Sequence, residues 1–145
     1  MRIALDTNVL AYAEGIDDPA RKRVAVAVVK SVDPATTFIP VQVCGELFRV
    51  LRRAKYSGTE ARTIVFRWQN SFPLVDTSAS VLRAAVDIAA DHSLNIWDAI
   101  ILSASSAAGC RLLLSEDLQN GFTCNGVTVV NPFAPKKHEL LAGLL

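Results

Sequence analysis

Short apolar runs alternate with longer segments of helical pattern along this chain, and the alternation restricts the fold more than any other feature of the sequence. The runs, each too short to be a helix, cover residues 3–5, 36–39, 74–75, 111–114 and 127–130. Strands that alternate with helices form a mainly parallel sheet with helices on both faces. We therefore predict an α/β fold: a three-layer α/β/α sandwich around a short, mostly parallel sheet.

The helices are placed between these strands by helical spacing of apolar residues and by capping residues. We expect helices over residues 9–14, 20–31, 79–91 and 98–108, a helix that Pro40 opens, and a helix that Thr59 caps. A turn is expected over residues 121–126, and residues 136–145 have the pattern of a final amphipathic helix.

Length and composition predict one domain and no membrane span. The 145 residues suffice for one hydrophobic core, and we expect a domain over residues 1–133 followed by a C-terminal tail over 134–145. Asp6 interrupts the apolar stretch that a signal peptide needs, and no run of about 18 apolar residues occurs, which predicts a cytoplasmic protein. The formal net charge of +1 points to no class of partner. The three cysteines show no C-x-x-C spacing, so we expect buried thiols rather than a zinc site or a disulfide framework.

Four acidic residues lie in apolar surroundings, where a carboxylate is costly unless its charge is compensated. They are Asp6, Glu46, Asp98 and Asp117. Two of them, Asp6 and Asp117, follow predicted strands, and parallel α/β folds bind ligands at the carboxyl ends of their strands. If the four carboxylates converge there, they would bind a divalent cation. Oxygen ligands without Cys or His favour Mg²⁺ or Mn²⁺, and such a site supports the hydrolysis of phosphate esters.

Each acid taken singly also has an ordinary structural explanation. Asp6 could be a helix cap, and Asp98 could be a helix cap or an acid of the first helical turn. Asp117 could be a turn residue, and Glu46 could form an ion pair with Arg49 or Arg53 along its helix. The convergence of all four in one small domain favours the functional interpretation.

Polar and basic residues accompany the acids. Three polar residues flank them and are expected to hold the carboxylates by hydrogen bonds, or to act as ordinary caps and turns: Thr7, Asn8 and Ser115. Arg49 and Arg53 lie on the same side of a predicted helix as Glu46. They could bind phosphates of a substrate, or they could pair with Glu46.

The segments around the four acids resemble, in sequence and in order, the acidic motifs of the PIN-domain family. They read Asp6-Thr7-Asn8-Val9-Leu10, Cys44-Gly45-Glu46-Leu47, Trp97-Asp98-Ala99 and Ser115-Glu116-Asp117-Leu118-Gln119. The closing residues 129–133 resemble the last strand of that family, so the resemblance covers essentially residues 2–133. Within the family the chain is most similar to VapC, the toxin ribonuclease of VapBC toxin–antitoxin modules.

This resemblance implies a PIN-like fold and an Mg²⁺-dependent endoribonuclease, with Mn²⁺ as a substitute ion, that hydrolyses RNA phosphodiester bonds as the toxin of a type II toxin–antitoxin module. Asp6, Glu46, Asp98 and Asp117 would be the catalytic acidic quartet, with Asp6 and Asp98 in direct contact with the metal. The implied partners are a VapB-type antitoxin and RNA, in a homodimer and a toxin–antitoxin hetero-oligomer. The alternative is a PIN-like RNA-processing nuclease, or a non-catalytic RNA-binding module, outside a toxin–antitoxin pair.

Overall fold

The computed structural model describes residues 1–144, and within them six strands form one sheet in the order β3-β2-β1-β4-β6-β5. The strands are β1 (Ile3–Leu5), β2 (Thr37–Pro40), β3 (Leu74–Val75), β4 (Leu112–Leu114), β5 (Thr123–Cys124) and β6 (Val127–Val130). All neighbouring strands are parallel except β5, which is antiparallel to β6. The mostly parallel sheet that the sequence predicts is confirmed.

Helices connect the strands and cover the sheet. Over residues 1–144 they are α1 (Thr7–Ala13), α2 (Pro19–Ser31), α3 (Val41–Arg53), α4 (Gly58–Ser71), α5 (Ala79–His92), α6 (Ile96–Ala107) and α7 (Glu139–Ala142), with a 3-10 turn at Pro34–Thr36. Every residue of the central strands β1 and β4 is buried, as expected for parallel strands that helices cover on both faces. The predicted three-layer α/β/α sandwich is confirmed.

Several helices begin at other residues than the sequence predicts, and at three of them the capping residue explains the difference. Helix α1 starts at Thr7, two residues earlier than expected, because the Asp6 side chain accepts a hydrogen bond from its first N–H. Helix α4 is capped by Ser57, not by Thr59, and Glu60 completes a reciprocal capping box with it. The cap of α6 is Asn95, so that helix also starts two residues earlier than predicted.

The region predicted as a turn over residues 121–126 contains the short strand β5. β5 and β6 form a hairpin whose two-residue loop is Asn125-Gly126, and both residues have positive φ, 48° and 81°. Asn-Gly is the preferred sequence for this type of hairpin turn, so the signal was present in the sequence and was missed.

The C-terminal tail packs against the domain. Within the predicted helix over 136–145, the structure shows the single turn α7, and Leu145 lies outside the described residues. The side chain of Leu141 is fully buried in the core. All three cysteines are buried free thiols, as predicted, and no helix in residues 1–144 has the length and apolar character of a membrane-spanning segment.

The strand order creates one favourable place for a ligand. From β1 the chain adds β2 and β3 on one side, and it then returns to add β4 on the other side of β1. The connection that follows β1 runs to β2 on one side, and the connection that follows β4 runs to β5 and β6 on the other side. A crevice therefore opens at the carboxyl ends of β1 and β4. Asp6 and Ser115 are the residues that follow the two strands.

Candidate functional site

Asp6 is buried at the carboxyl end of β1, where the strand register determines its neighbours. Leu5 pairs with Leu114, and the N–H of Asp6 donates to the carbonyl oxygen of Leu114 at 3.0 Å, which brings Asp6 beside Ser115. The Ser115 hydroxyl donates to Oδ2 of Asp6 at 2.6 Å, and the N–H of Thr7 donates to Oδ1 at 2.7 Å. The side chain is only 3% exposed. Asp6 is therefore both the cap of α1 and an anchored member of the strand-end cluster.

The protein compensates the charge of Asp6 only in part. Burial raises the pKa of the Asp6 carboxyl to about 7, although the hydrogen bonds from Ser115 and Thr7 oppose this rise. The negative charges of Asp117 and Glu46 raise the pKa further. Near neutral pH the folded protein thus binds and releases the Asp6 proton, and a bound cation would favour the charged form.

Glu46 reaches the same crevice from α3. The Thr7 hydroxyl donates to its Oε2 at 2.6 Å, and Nε2 of Gln42 donates to its Oε1 at 3.2 Å. In residues 1–144, no ion pair joins Glu46 to Arg49 or Arg53. The ordinary explanation of Glu46 as a partner of these arginines is therefore not what the structure shows.

Asp98 and Asp117 complete the set of acids. Asp98 is half-buried in the first turn of α6, whose cap is Asn95, so Asp98 is not the cap. Burial raises its pKa, and the charges of Asp117 and Glu46 add to this effect. Helix N-termini favour acidic residues, but here desolvation and like charges outweigh that preference. Asp117 is exposed, and its N–H donates to the Ser115 hydroxyl at 3.1 Å.

Three of the four acids, Glu46, Asp98 and Asp117, line one open cavity of about 380 Å³. Asp6 is buried directly behind Thr7 and Asn8, which also line the cavity. The structure thus brings together all four acids that the sequence singles out, from positions up to 111 residues apart.

The three polar residues that flank the acids connect the carboxylates to one another. Ser115 contacts Asp6 and Asp117, and Thr7 contacts Glu46. Asn8 spans the two strand ends, since its Nδ2 lies 3.4 Å from the Ser115 hydroxyl and its Oδ1 accepts from the N–H of Glu116 at 3.4 Å.

The donor set fits a hard divalent cation. It consists of carboxylate, hydroxyl and amide oxygens, without thiolate or imidazole, which suits Mg²⁺ or Mn²⁺ rather than zinc. Among residues 1–144, no three acidic, histidine or cysteine side chains lie close enough, as placed, to chelate one ion directly. Mg²⁺ usually keeps several of its waters and binds one or two carboxylates, so an open cavity with spaced acids fits it.

Glu116 also lines the cavity, and its carboxylate accepts hydrogen bonds from residues that the sequence does not connect to it. The Tyr12 hydroxyl donates to its Oε1, and Nε of Arg21 donates to its Oε2 at 3.0 Å. Arg21 also pairs with Asp18 at 2.7 Å. Burial and the Glu116 carboxylate raise the pKa of Tyr12 to about 12. Glu116 therefore has a cationic partner, whereas none of the four acids forms an ion pair within residues 1–144. Arg21 in turn is bound to Asp18 and Glu116. No sequence signal indicates a contact between residues 95 positions apart.

The two arginines that the sequence selects differ in position. Arg49 is exposed and lines the cavity beside Glu46. Arg53 is exposed one turn farther along α3 and is not among the lining residues of the described chain. Trp97 and Asn95 also line the cavity, and sequence reasoning assigned them no part in the site. Exposure of a large aromatic side chain beside the acids could not be read from the sequence.

Comparisons with known proteins give a family and a fold. The family model described as "PIN domain" matches residues 3–120. No curated protein sequence matches the chain significantly.

Several solved structures share the fold. A sarcin–ricin loop-cleaving VapC toxin of Mycobacterium tuberculosis superposes with a TM-score of 0.68 at 19% identity, over 79% of this chain and 89% of the other. A toxin–antitoxin complex from Klebsiella pneumoniae gives a TM-score of 0.69 at 18% identity, over 90% and 98% of the two chains. A VapBC complex of Rickettsia felis, bound to a DNA fragment from its promoter, gives 0.65 at 16% identity, over 89% and 97%.

Proposed function

The chain belongs to the PIN-domain family, and we propose that it is a divalent-metal-dependent endoribonuclease that serves as the toxin of a type II toxin–antitoxin module. The observation that carries the proposal is that Glu46, Asp98 and Asp117 line one open cavity at the carboxyl ends of β1 and β4, while Asp6 is buried behind it within the electrostatic reach of Asp117 and Glu46. Burial and the neighbouring negative charges raise the pKa of two of these acids, Asp6 and Asp98, and such an arrangement is costly to the fold and typical of a functional site.

The proposed roles follow from the position of each side chain. Asp6 and Asp98 would contact Mg²⁺ or Mn²⁺ directly, because burial leaves them in greatest need of a counter-charge. Glu46 and Asp117 would bind it directly or through waters. When bound, such a cation supplies a nucleophile at neutral pH and stabilises charge on the leaving oxygen of a phosphodiester.

The remaining polar residues would keep the acids in position and hold the substrate. Ser115 fixes one oxygen of Asp6, Thr7 fixes one oxygen of Glu46, and Asn8 joins the two strand ends. Arg49, which lines the cavity, would bind a phosphate of the RNA backbone. Arg53 would bind a phosphate farther along the strand.

The partners are part of the same proposal. The similar structures from Klebsiella pneumoniae and Rickettsia felis are toxin–antitoxin assemblies, which supports a VapB-type antitoxin as the inhibitor of this chain. An antitoxin segment carrying Arg or Lys would neutralise the acidic cavity. We further propose a homodimer that joins the antitoxin in a hetero-oligomer and acts on RNA in the cytoplasm.

Incubation of the purified protein with RNA tests the nuclease. Cleavage is expected with Mg²⁺ or Mn²⁺, and its loss with EDTA. Asp98→Asn should abolish cleavage, whereas the matched control Asp87→Asn, which removes an exposed acid of α5, should cleave normally. RNA binding without metal-dependent cleavage would support a non-catalytic module instead.

Expression in bacterial cells tests the toxin. Growth should stop when the wild-type chain is induced and continue when Asp98→Asn is induced. Co-expression of the protein encoded next to this chain's gene should restore growth. Cleavage in vitro without growth arrest would favour an RNA-processing nuclease outside a toxin–antitoxin pair.

A further inference from the structure

Trp97 is exposed at the edge of the acidic cavity although its helix is otherwise strongly buried. Helix α6 buries the seven consecutive residues Ala99 to Ser105. Trp97, in its first turn, is 54% exposed, whereas Trp68 is only 7% exposed. Single exposed apolar side chains are common on protein surfaces, and Trp97 is informative because it also lines the cavity that contains the acids.

A second concavity begins at Trp97 and is continuous with the acidic cavity. We call it the Trp97 groove; it has a volume of about 530 Å³ and is lined by Val41, Gln42, Gly45, Glu46, Arg49, Thr77 and Trp97. Glu46, Arg49 and Trp97 line both spaces. A chain molecule whose reacting group lies in the acidic cavity would therefore place its next unit in the Trp97 groove.

The floor of the Trp97 groove is open to close approach. Gly45 lies in the interior of α3, where glycine is less favourable than alanine, and a β-carbon built on it would meet no atom within 4 Å. The fold itself thus has no steric need for glycine here. A flat group could lie against the backbone of α3 at this point.

We propose that the Trp97 groove holds an unpaired nucleobase of RNA, stacked on Trp97, next to the phosphate that the acidic cavity engages. The inference rests on the proposed function and adds to it a residue, Trp97, that would orient the substrate by stacking on a base. An exposed indole stacks on the face of any base, and Arg49 supplies a cation between the base and the reacting phosphate. Gln42 and Thr77 add polar groups that could contact a base edge.

Continuity with the acidic cavity favours RNA over a protein segment as the occupant. A backbone phosphate over Arg49 fixes where the adjacent nucleotide lies, whereas nothing in the groove requires a peptide. A base inside a duplex offers no free face, because its neighbours already stack on it. The Trp97 groove therefore selects unpaired RNA.

Binding of a short unstructured RNA oligonucleotide in EDTA, where no cleavage is expected, tests the proposal. Trp97→Ala should weaken binding on the order of ten-fold. Trp97→Phe should restore most of the affinity, and Gly45→Leu should weaken binding by obstructing the groove floor. Phe66→Ala is the matched control, because Phe66 is also 54% exposed but lies outside both cavities, and it should bind like wild type.

Two further measurements distinguish stacking from a structural role. Quenching by iodide of the Trp97 fluorescence should decrease when the oligonucleotide binds, and binding of the matching RNA duplex should be insensitive to Trp97→Ala. If Trp97→Ala binds the oligonucleotide like wild type, the proposal is wrong. The same holds if this variant weakens association with the antitoxin and leaves RNA binding unchanged. If the oligonucleotide binds through Trp97 but is not cleaved with Mg²⁺, the nuclease proposal fails while the base site stands.

Discussion

Replacement of Asp6 by Asn should stabilise the metal-free protein above neutral pH although it abolishes cleavage. The rise of the Asp6 pKa from 3.8 to about 7 corresponds to a free energy of about 4 kcal/mol, at roughly 1.4 kcal/mol per unit. Asn carries no charge, but it has one acceptor oxygen where Asp6 accepts from both Thr7 and Ser115. One lost hydrogen bond costs about 1–2 kcal/mol. We therefore expect a net gain of about 2–3 kcal/mol in the free energy of unfolding at pH 8.

The pH dependence gives this prediction its sign. The unfolded chain releases the Asp6 proton near pH 4, whereas the folded protein keeps it up to about pH 7. Between these values the folded state binds more protons, so wild-type stability falls as the pH rises and becomes constant above about pH 7. Asp6→Asn lacks this contribution. The variant should therefore have the higher free energy of unfolding at pH 8. At pH 4 the lost hydrogen bond should make the variant less stable than the wild type.

Urea denaturation in EDTA at pH 4 and pH 8 measures the effect. Asp87→Asn, an exposed carboxylate on α5, is the control and should change little at either pH. Addition of Mg²⁺ at pH 8 should reduce the difference in the free energy of unfolding between Asp6→Asn and the wild type, because the cation stabilises the folded wild type and not the variant. An equal difference between wild type and Asp6→Asn at both pH values would refute the argument from a buried, uncompensated charge.

Substitutions at four further positions should have different effects. Asp98→Asn should lose cleavage but keep RNA binding and an unchanged or higher melting temperature, whereas unfolding would identify Asp98 as a structural residue. Arg49→Ala should weaken RNA binding and make the slope of log K against log salt less steep by about one unit, and Arg53→Ala should change both less. If a variant keeps the wild-type slope and affinity, its arginine does not bind a phosphate. Thr7→Val should lower cleavage by releasing Glu46 and cost about 1 kcal/mol of stability, and Thr7→Ser should restore both; full cleavage by Thr7→Val would show that Glu46 needs no such support.

The order of the elements and the identity of the acids follow from the sequence alone. Short apolar runs with helical segments between them can bury their residues only in a parallel sheet covered on both faces, so the architecture follows from the pattern. The acids stand out because a carboxylate in an apolar segment conflicts with folding unless something compensates its charge. The Asn125-Gly126 hairpin could also have been predicted, since its turn depends on adjacent residues alone.

The contacts between these residues depend on the tertiary structure. The pairing of β1 with β4 places Asp6 against Ser115, and it depends on the packing of the whole sheet. The neutralisation of Glu116 by Arg21 likewise arises between segments 95 residues apart. Exposure of Trp97 is set by what the neighbouring elements leave uncovered. Local preferences act over a few residues, whereas strand register and uncovered surface result from the packing of all elements together, so the chemistry could be predicted from the sequence and its geometry could not.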